Sequence, residues 1–407
     1  MSAARRGDRE ALGQAIDRRE RTGEMSAREA ASLAKAVAER DLSAAPPDEV
    51  LARVRDCRPC ARELDGALAD RMRVHDAAGA AAALARLEAR GLDPGDARAF
   101  ASDPDGAWRA VGARALVRSD DRGARLSALH DGDPGVRREA VRAARDAADM
   151  ADVPALLEAA RVDPDSIVRT EAVRAIAAAP ATRDGATATA LRDVWTGGDG
   201  PLRAEVAIAW AAPSIWAAGG RDALRVVVAE SRGMGAIEAA AAVLRHRDAD
   251  AEVTQLAEGQ LARSIALGSR AERLQAIAQV PLDRREIAAA VAGATSDSEL
   301  DVRVSALARL AAMGDARARA DLEALGQPGS AVAARARLAL AGAGDRRVQA
   351  WLESDLRAAQ PEDRVGAAVA LAALGMAGRA APLLADPDRA VRARAACAIL
   401  MAARAGR

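Results

Sequence analysis

Asp163-Pro164-Asp165-Ser166-Ile167-Val168-Arg169, followed by Ala172, is the stretch that decides the fold. An acidic residue beside Pro is a helix-start signal. Val168, Ala172, Ala175 and Ile176 then recur at helical spacing, which predicts one apolar stripe along a helix. The same signature stands at Asp133-Pro134-Gly135-Val136-Arg137 with Ala140, and at Asp386-Pro387-Asp388-Arg389-Ala390-Val391-Arg392 with Ala395. Taking the Val of each Val-Arg pair as a register mark, the marks fall at Trp108, Val136, Val168, Leu202, Ile237, Glu272, Val302, Val332, Val365 and Val391. Their intervals run from 26 to 35 residues, the size of a two-helix repeat. The weakest marks are Ile237, which Glu238 follows, and Glu272, placed only by Arg273 and Ala276.

The pattern has a mechanical reading. Asp103, Asp133, Asp163 and Asp386 are predicted N-caps, each followed by a Pro at the first helical position, where no hydrogen bond is lost. Each stripe is only one face wide, so a single helix pair cannot bury itself and stacked neighbours must complete the core. Each marked helix also follows a second apolar-periodic segment, such as residues 152–160 with Val153, Leu156 and Leu157.

Composition agrees with this reading. The chain of 407 residues has one Phe, five Trp and no Tyr, so Ala-rich helices must pack closely without large aromatics between them. Ala is also the strongest helix former. No alternating pattern of useful length predicts a strand.

The D-P-x-x-V-R-x-x-A signature resembles that of HEAT-repeat proteins, of the bacterial type similar to phycobilisome-lyase-like HEAT repeats. The resemblance covers residues 93–407 and implies an all-α fold: an α-solenoid, a right-handed superhelix of about ten HEAT-like helix pairs. In such repeats the Asp and Arg pair between neighbours, which implies a structural ladder through Arg137, Arg169, Arg303 and Arg392. Residues 1–92 lack the signature. They read as several helices, with Ser26 and Glu29 as a capping box and a break at Ala45-Pro46-Pro47-Asp48, and are expected to form a helical N-terminal cap.

Charge narrows the function. The chain carries 59 basic and 59 acidic residues, and only residues 301–407 hold a surplus, 16 basic against 11 acidic. A nucleic-acid binder usually shows a strong basic excess, so nucleic acid is not the expected partner. Cys57-Arg58-Pro59-Cys60 is a C-x-x-C, but no second ligand pair follows as a zinc site needs. Its readings are a structural pair, a disulfide or, least favoured, a metal site. The three His residues, His75, His130 and His246, are scattered, and the paired His-Glu motifs of HEAT-type di-iron hydroxylases are absent. No catalytic residue, cofactor site or metal site is expected. Trp195, Trp210 and Trp216 cluster in sequence, either as locally thicker packing or as an aromatic patch for a partner. The expected function is a non-catalytic scaffold or adaptor that binds another protein along a concave surface. The alternative is an enzyme or enzyme-associated HEAT protein, lyase-like or DNA-glycosylase-like. No apolar run is long enough to span a bilayer, and the N-terminus lacks a secretory apolar core. The chain as written is expected to be cytoplasmic, or exported if it is a trimmed mature form.

Overall fold

The computed structural model describes residues 2–180 and 185–406, without the side chains of residues 58–60. The protein is an all-α solenoid of stacked helices, with no strand among the described residues. It forms two compact units, one built from residues 1–93 together with 314–407, the other from residues 94–313. The helices used below are α1 (Arg9–Thr22), α2 (Ala27–Ser43), α3 (Pro47–Asp56) and α4 (Ala77–Ala89), then the helices at the ten register marks. These are α5 (Gly106–Arg114), α6 (Pro134–Ala147), α7 (Ser166–Ala178), α8 (Gly200–Trp210), α9 (Met234–Arg245), α10 (Arg270–Gln279), α11 (Leu300–Ala312), α12 (Ala333–Gly342), α13 (Pro361–Ala373) and α14 (Arg389–Arg404).

Within residues 94–313, α5 to α11 stack in sequence order, each against the next. Their marks form the core: Trp108, Val136, Val168, Leu202 and Val302 are all buried, and so are Ala140, Ala172 and Ala306 four residues further on. Small Ala at that second position lets the backbones approach, which explains how a core with so few aromatics still closes. The mark in α9 moves. Glu238-Ala239 takes the buried Glu-Ala place of Glu139-Ala140 and Glu171-Ala172, so the register residue is Gly235, two positions before Ile237. A Cβ at Gly235 would stand 3.0 Å from the Trp195 ring and 3.1 Å from Arg203 Cβ. That close passage is why glycine replaces the usual apolar residue.

The capping reading needs correction. Asp133 does cap α6, and Pro134 is its first residue. In the other three Asp-Pro turns the cap is the second acid of an Asp-Pro-Asp run: Asp105, Asp165 and Asp388 accept from backbone N–H groups in the first turns of α5, α7 and α14. Asp103, Asp163 and Asp386 stand two residues earlier, and their adjacent prolines lie outside the helices. Each instead accepts from the backbone N–H of the capping residue, at 2.9, 2.8 and 2.8 Å. That leaves the carboxylates of Asp163 and Asp386 facing the preceding repeat.

The other unit joins the two ends of the chain. Here α12, α13 and α14 stack in order, and the next helix along the stack is α2, from the N-terminal segment. Helix α1 and helix α2 also cover the 3₁₀ run Ala377–Ala385. Ser26 and Glu29 form the expected capping box at the start of α2. A Cβ at Gly378 would stand 2.0 Å from the Met25 carbonyl oxygen, so only glycine admits this approach.

Candidate protein-binding surface

The repeated Arg is a clamp with two jaws. One jaw holds the turn of its own repeat: Arg137 Nη1 donates to the carbonyls of Asp131 and Gly132, at 2.9 and 3.3 Å. The other is a bidentate pair with Asp163 of the next repeat, at 2.8 and 3.0 Å. The partner carboxylate raises the Arg137 pKa. Arg109 makes the same clamp with Asp131, and Arg364 with Asp386. The guanidinium of Arg109 holds Asp131 below the ordinary carboxylate range. Such forked, charge-assisted pairs fix direction as well as distance.

The four ladder residues expected from sequence differ in what they reach. Arg137 makes the full clamp. Arg169 holds the Asp163 carbonyl at 2.8 Å, but its carboxylate partner, Asp199, is 3.7 Å away. The turn before α8 has a single Asp, which is already occupied in capping that helix. Arg303 holds the carbonyls of Asp297 and Ser298. The turn ahead of α12, Gly326-Gln327-Pro328-Gly329-Ser330, contains no acid. Arg392 makes a full clamp, holding Asp386 and Pro387 carbonyls and pairing with both oxygens of Asp41 at 2.8 and 3.1 Å. Asp41 lies in α2, so the N-terminal segment accepts the last Arg as a further repeat would.

A second ladder, not anticipated from sequence, runs between α5 and α8. Glu139 and Glu171, three residues after their marks, are buried. Arg114, Arg142 and Arg174 stand six residues after theirs. Arg142 lies 2.5 Å from Glu139 and 3.4 Å from Glu171. Arg174 lies 3.0 Å from Glu171 and pairs with Glu205 of α8, which raises the Arg174 pKa. Arg145 adds a contact to Glu171 at 3.4 Å. Beyond α8 amides replace the arginines: Glu238 of α9 accepts from the Gln279 amide at 2.9 Å and from Gln275. The signal was legible as Glu at the third and Arg at the sixth position after the mark, a spacing that places both on one helical face. Ile208 holds the sixth position in α8, where the three preceding repeats have Arg, and it is 44 % exposed.

The three tryptophans are packed inward to different degrees. Trp210 is fully buried, and its Nε1–H donates to the Ala188 carbonyl at 3.0 Å. Trp216 is buried and stacks on His246, ring centroids 3.9 Å apart. Trp195 is half-buried, 5.5 Å from Trp210 and with the Arg203 guanidinium 5.9 Å from its centroid. These contacts fit the packing reading, and Trp195 alone of the three keeps a substantial exposed edge.

Cys57 is bonded to Cys397, 340 residues away, with Cα atoms 5.6 Å apart. The neighbouring-pair disulfide considered for Cys57 and Cys60 is therefore replaced by a bond to the cysteine that the C-x-x-C reading passed over. The Cys60 side chain lies outside the described residues. Among the described residues no cluster of His, Cys, Asp and Glu could hold a metal, and no helix is long and apolar enough to cross a membrane.

A family model described as HEAT repeats matches residues 96–177 and 124–211. No curated protein matches the chain in sequence. Among solved structures, the CpcE and CpcF complex of phycocyanin lyase from Nostoc sp. is 20% identical, covering 70% of this chain and 95% of that one at a TM-score of 0.29. An engineered protein is 19% identical over 88% of this chain and 98% of its own, at a TM-score of 0.25. Neither likeness bears on what this chain does. The Asp-Pro and Val-Arg turns, the stacked helix pairs and the family match agree, and residues 96–211 are HEAT repeats.

Proposed function

We propose that the protein is a scaffold that binds another protein along the face formed by the sixth-position row of α6, α7 and α8. The observation that supports this reading is Ile208, an exposed apolar residue at the end of a row of arginines held by buried glutamates. Positions that serve only stacking are already satisfied by the ladders below. An apolar side chain left at the surface between charged neighbours matches the core of a contact patch, and Arg is enriched beside such cores. The row is charge-balanced, with Arg142, Arg145 and Arg174 matched by Glu139, Glu171 and Glu205, which suits a folded or mixed-charge protein surface better than a polyanion.

The test is affinity capture of the full-length chain from its native cell, compared with Ile208→Asp and Val74→Asp variants. Val74 is likewise exposed, at 51 %, and lies far from this row in sequence. A stoichiometric partner that binds the parent chain and the Val74 variant but not the Ile208 variant supports the reading. A partner that binds all three equally places the interface elsewhere.

A further inference from the structure

The unit that joins the chain ends contains a cavity of about 470 Å³ beside the disulfide. Leu42, Leu64, Val369 and Met401 supply apolar wall, Arg53 and Arg394 supply positive charge, and both Cys57 and Cys397 lie on its surface. Cys57 is buried, while Cys397 is half-buried. We propose that this disulfide is a thiol-exchange site, reached through the cavity by a small thiol, and that its state governs how firmly residues 1–93 are held on α14.

Three observations carry this. A disulfide is opened by in-line attack of a thiolate, so access to one sulfur is the first requirement. The cavity gives that access at Cys397, whereas a structural bridge sealed in a core offers none. Second, Arg53 and Arg394 line the same cavity with one acid, Asp56, and although Glu49 pairs with Arg53 at 3.2 Å, Arg394 adds a cation to the wall that favours an arriving or departing thiolate. Third, the bond closes across a contact that is complete without it. Arg392 clamps Asp41, Arg389 pairs with Glu49 at 3.2 Å, and Arg379 reaches Glu24 at 3.3 Å. These contacts are the kind that hold neighbouring repeats together, so opening the bond loosens the segment rather than unfolding the unit.

The chemistry balances with a low-molecular-weight thiol as the only co-reactant. Its thiolate attacks Cys397 Sγ, the Cys57–Cys397 bond breaks, and the electron pair leaves on Cys57 as a thiolate that takes a proton from water. A second thiol attacks the outer sulfur of the mixed disulfide on Cys397 and releases it as a thiol. Two small thiols are oxidised to one small disulfide, and one protein disulfide is reduced to two thiols.

The experiment is amide hydrogen exchange on the full-length folded protein, air-oxidised or treated with millimolar reduced glutathione, with non-reducing peptide mapping of each sample. Mapping of the oxidised protein should show a Cys57–Cys397 peptide that glutathione removes. Residues 27–43 and 389–404 should then exchange at least about tenfold faster, since a native disulfide contributes on that scale or more. Residues 134–178, in the other unit, should not change. Cys397→Ser should show the fast pattern without reductant, and Cys60→Ser should behave as the parent. If Cys397→Ser does not fold, parent protein reduced and alkylated at Cys397 takes its place. Identical exchange in both redox states, a bond that glutathione opens only after unfolding, or a mapped bond through Cys60 would each overturn the proposal.

Discussion

At the scale of single residues, the two acids of an Asp-Pro-Asp turn do separate tasks. Asp163 is buried and takes the fork of Arg137, whereas Asp165 caps α7 and pairs with Arg138. Asp163→Ala is predicted to cost about 3 kcal/mol, because it strands a largely buried guanidinium. Asp165→Ala should cost about 1 kcal/mol, the ordinary value of a lost cap. Urea unfolding of both variants checks the order, and a larger loss for Asp165 would contradict the assignment. The acid limb of stability follows from the same carboxylates. The pKa of Asp131 is lowered from 3.8 chiefly by Arg109, that of Asp165 chiefly by Arg138, and that of Glu29 to about 2 chiefly by Arg19. A depressed folded-state value stabilises above the unfolded value and fades as pH falls through the folded one. Thermal midpoints should therefore hold down to about pH 4.5, then decline steadily towards pH 2. A midpoint that stayed flat over that window would exclude these groups. The sequence could not separate the two acids, since both sit beside Pro and both suit a cap. Only the fold of the turn shows which one points into the helix.

At the scale of elements, each register mark fell on or beside a helix because apolar spacing and turn residues were both strong there. The marks failed where a close contact overrode the pattern. At Gly235 the Trp195 ring and Arg203 stem occupy the space of a side chain, so the expected apolar residue is missing and the reading slid to Ile237. The N-terminal helices were legible as helices, and Ser26 and Glu29 as a cap. Their partner was not, because nothing local in residues 1–93 says that α2 will lie on α14. Gly378 tests that packing. With the Met25 carbonyl 2.0 Å from where a Cβ would stand, Gly378→Val must push α2 and the 3₁₀ run apart. We expect a loss of at least about 2 kcal/mol, the range of forced overpacking. Faster proteolysis in residues 24–43 should accompany it, and an unchanged unfolding curve would show that the approach is looser than described.

At the scale of the whole molecule, balanced charge was the property most visible in the sequence, and the ladders show where those charges go. They are spent on one another between repeats, so the protein should not bind duplex DNA with submicromolar affinity at about 0.15 M salt, where exposed charges are screened beyond roughly 8 Å. A fluorescence-anisotropy titration finding such binding would mean that the surface segregates charge in a way the ladders do not suggest. The long-range bond between Cys57 and Cys397 was the least legible feature, because pairing across 340 residues leaves no trace in local spacing. The two-jawed Arg has a consequence for how such a chain can change length. Where the clamp is complete, a unit brings one donor for the unit ahead and one acceptor for the unit behind, so loss of about 30 codons counted from one Arg to the next leaves the junction as it was. Deleting residues 137–168 joins Val136 directly to Arg169, which restores the signature as Asp133-Pro134-Gly135-Val136-Arg169-Thr170-Glu171-Ala172 with no other edit. That shortened gene should still encode a cooperatively folding helical protein, whereas removing half as many residues from the same start should not. Recombination between repeats then has an inherited reading frame of its own, set by where the guanidinium reaches.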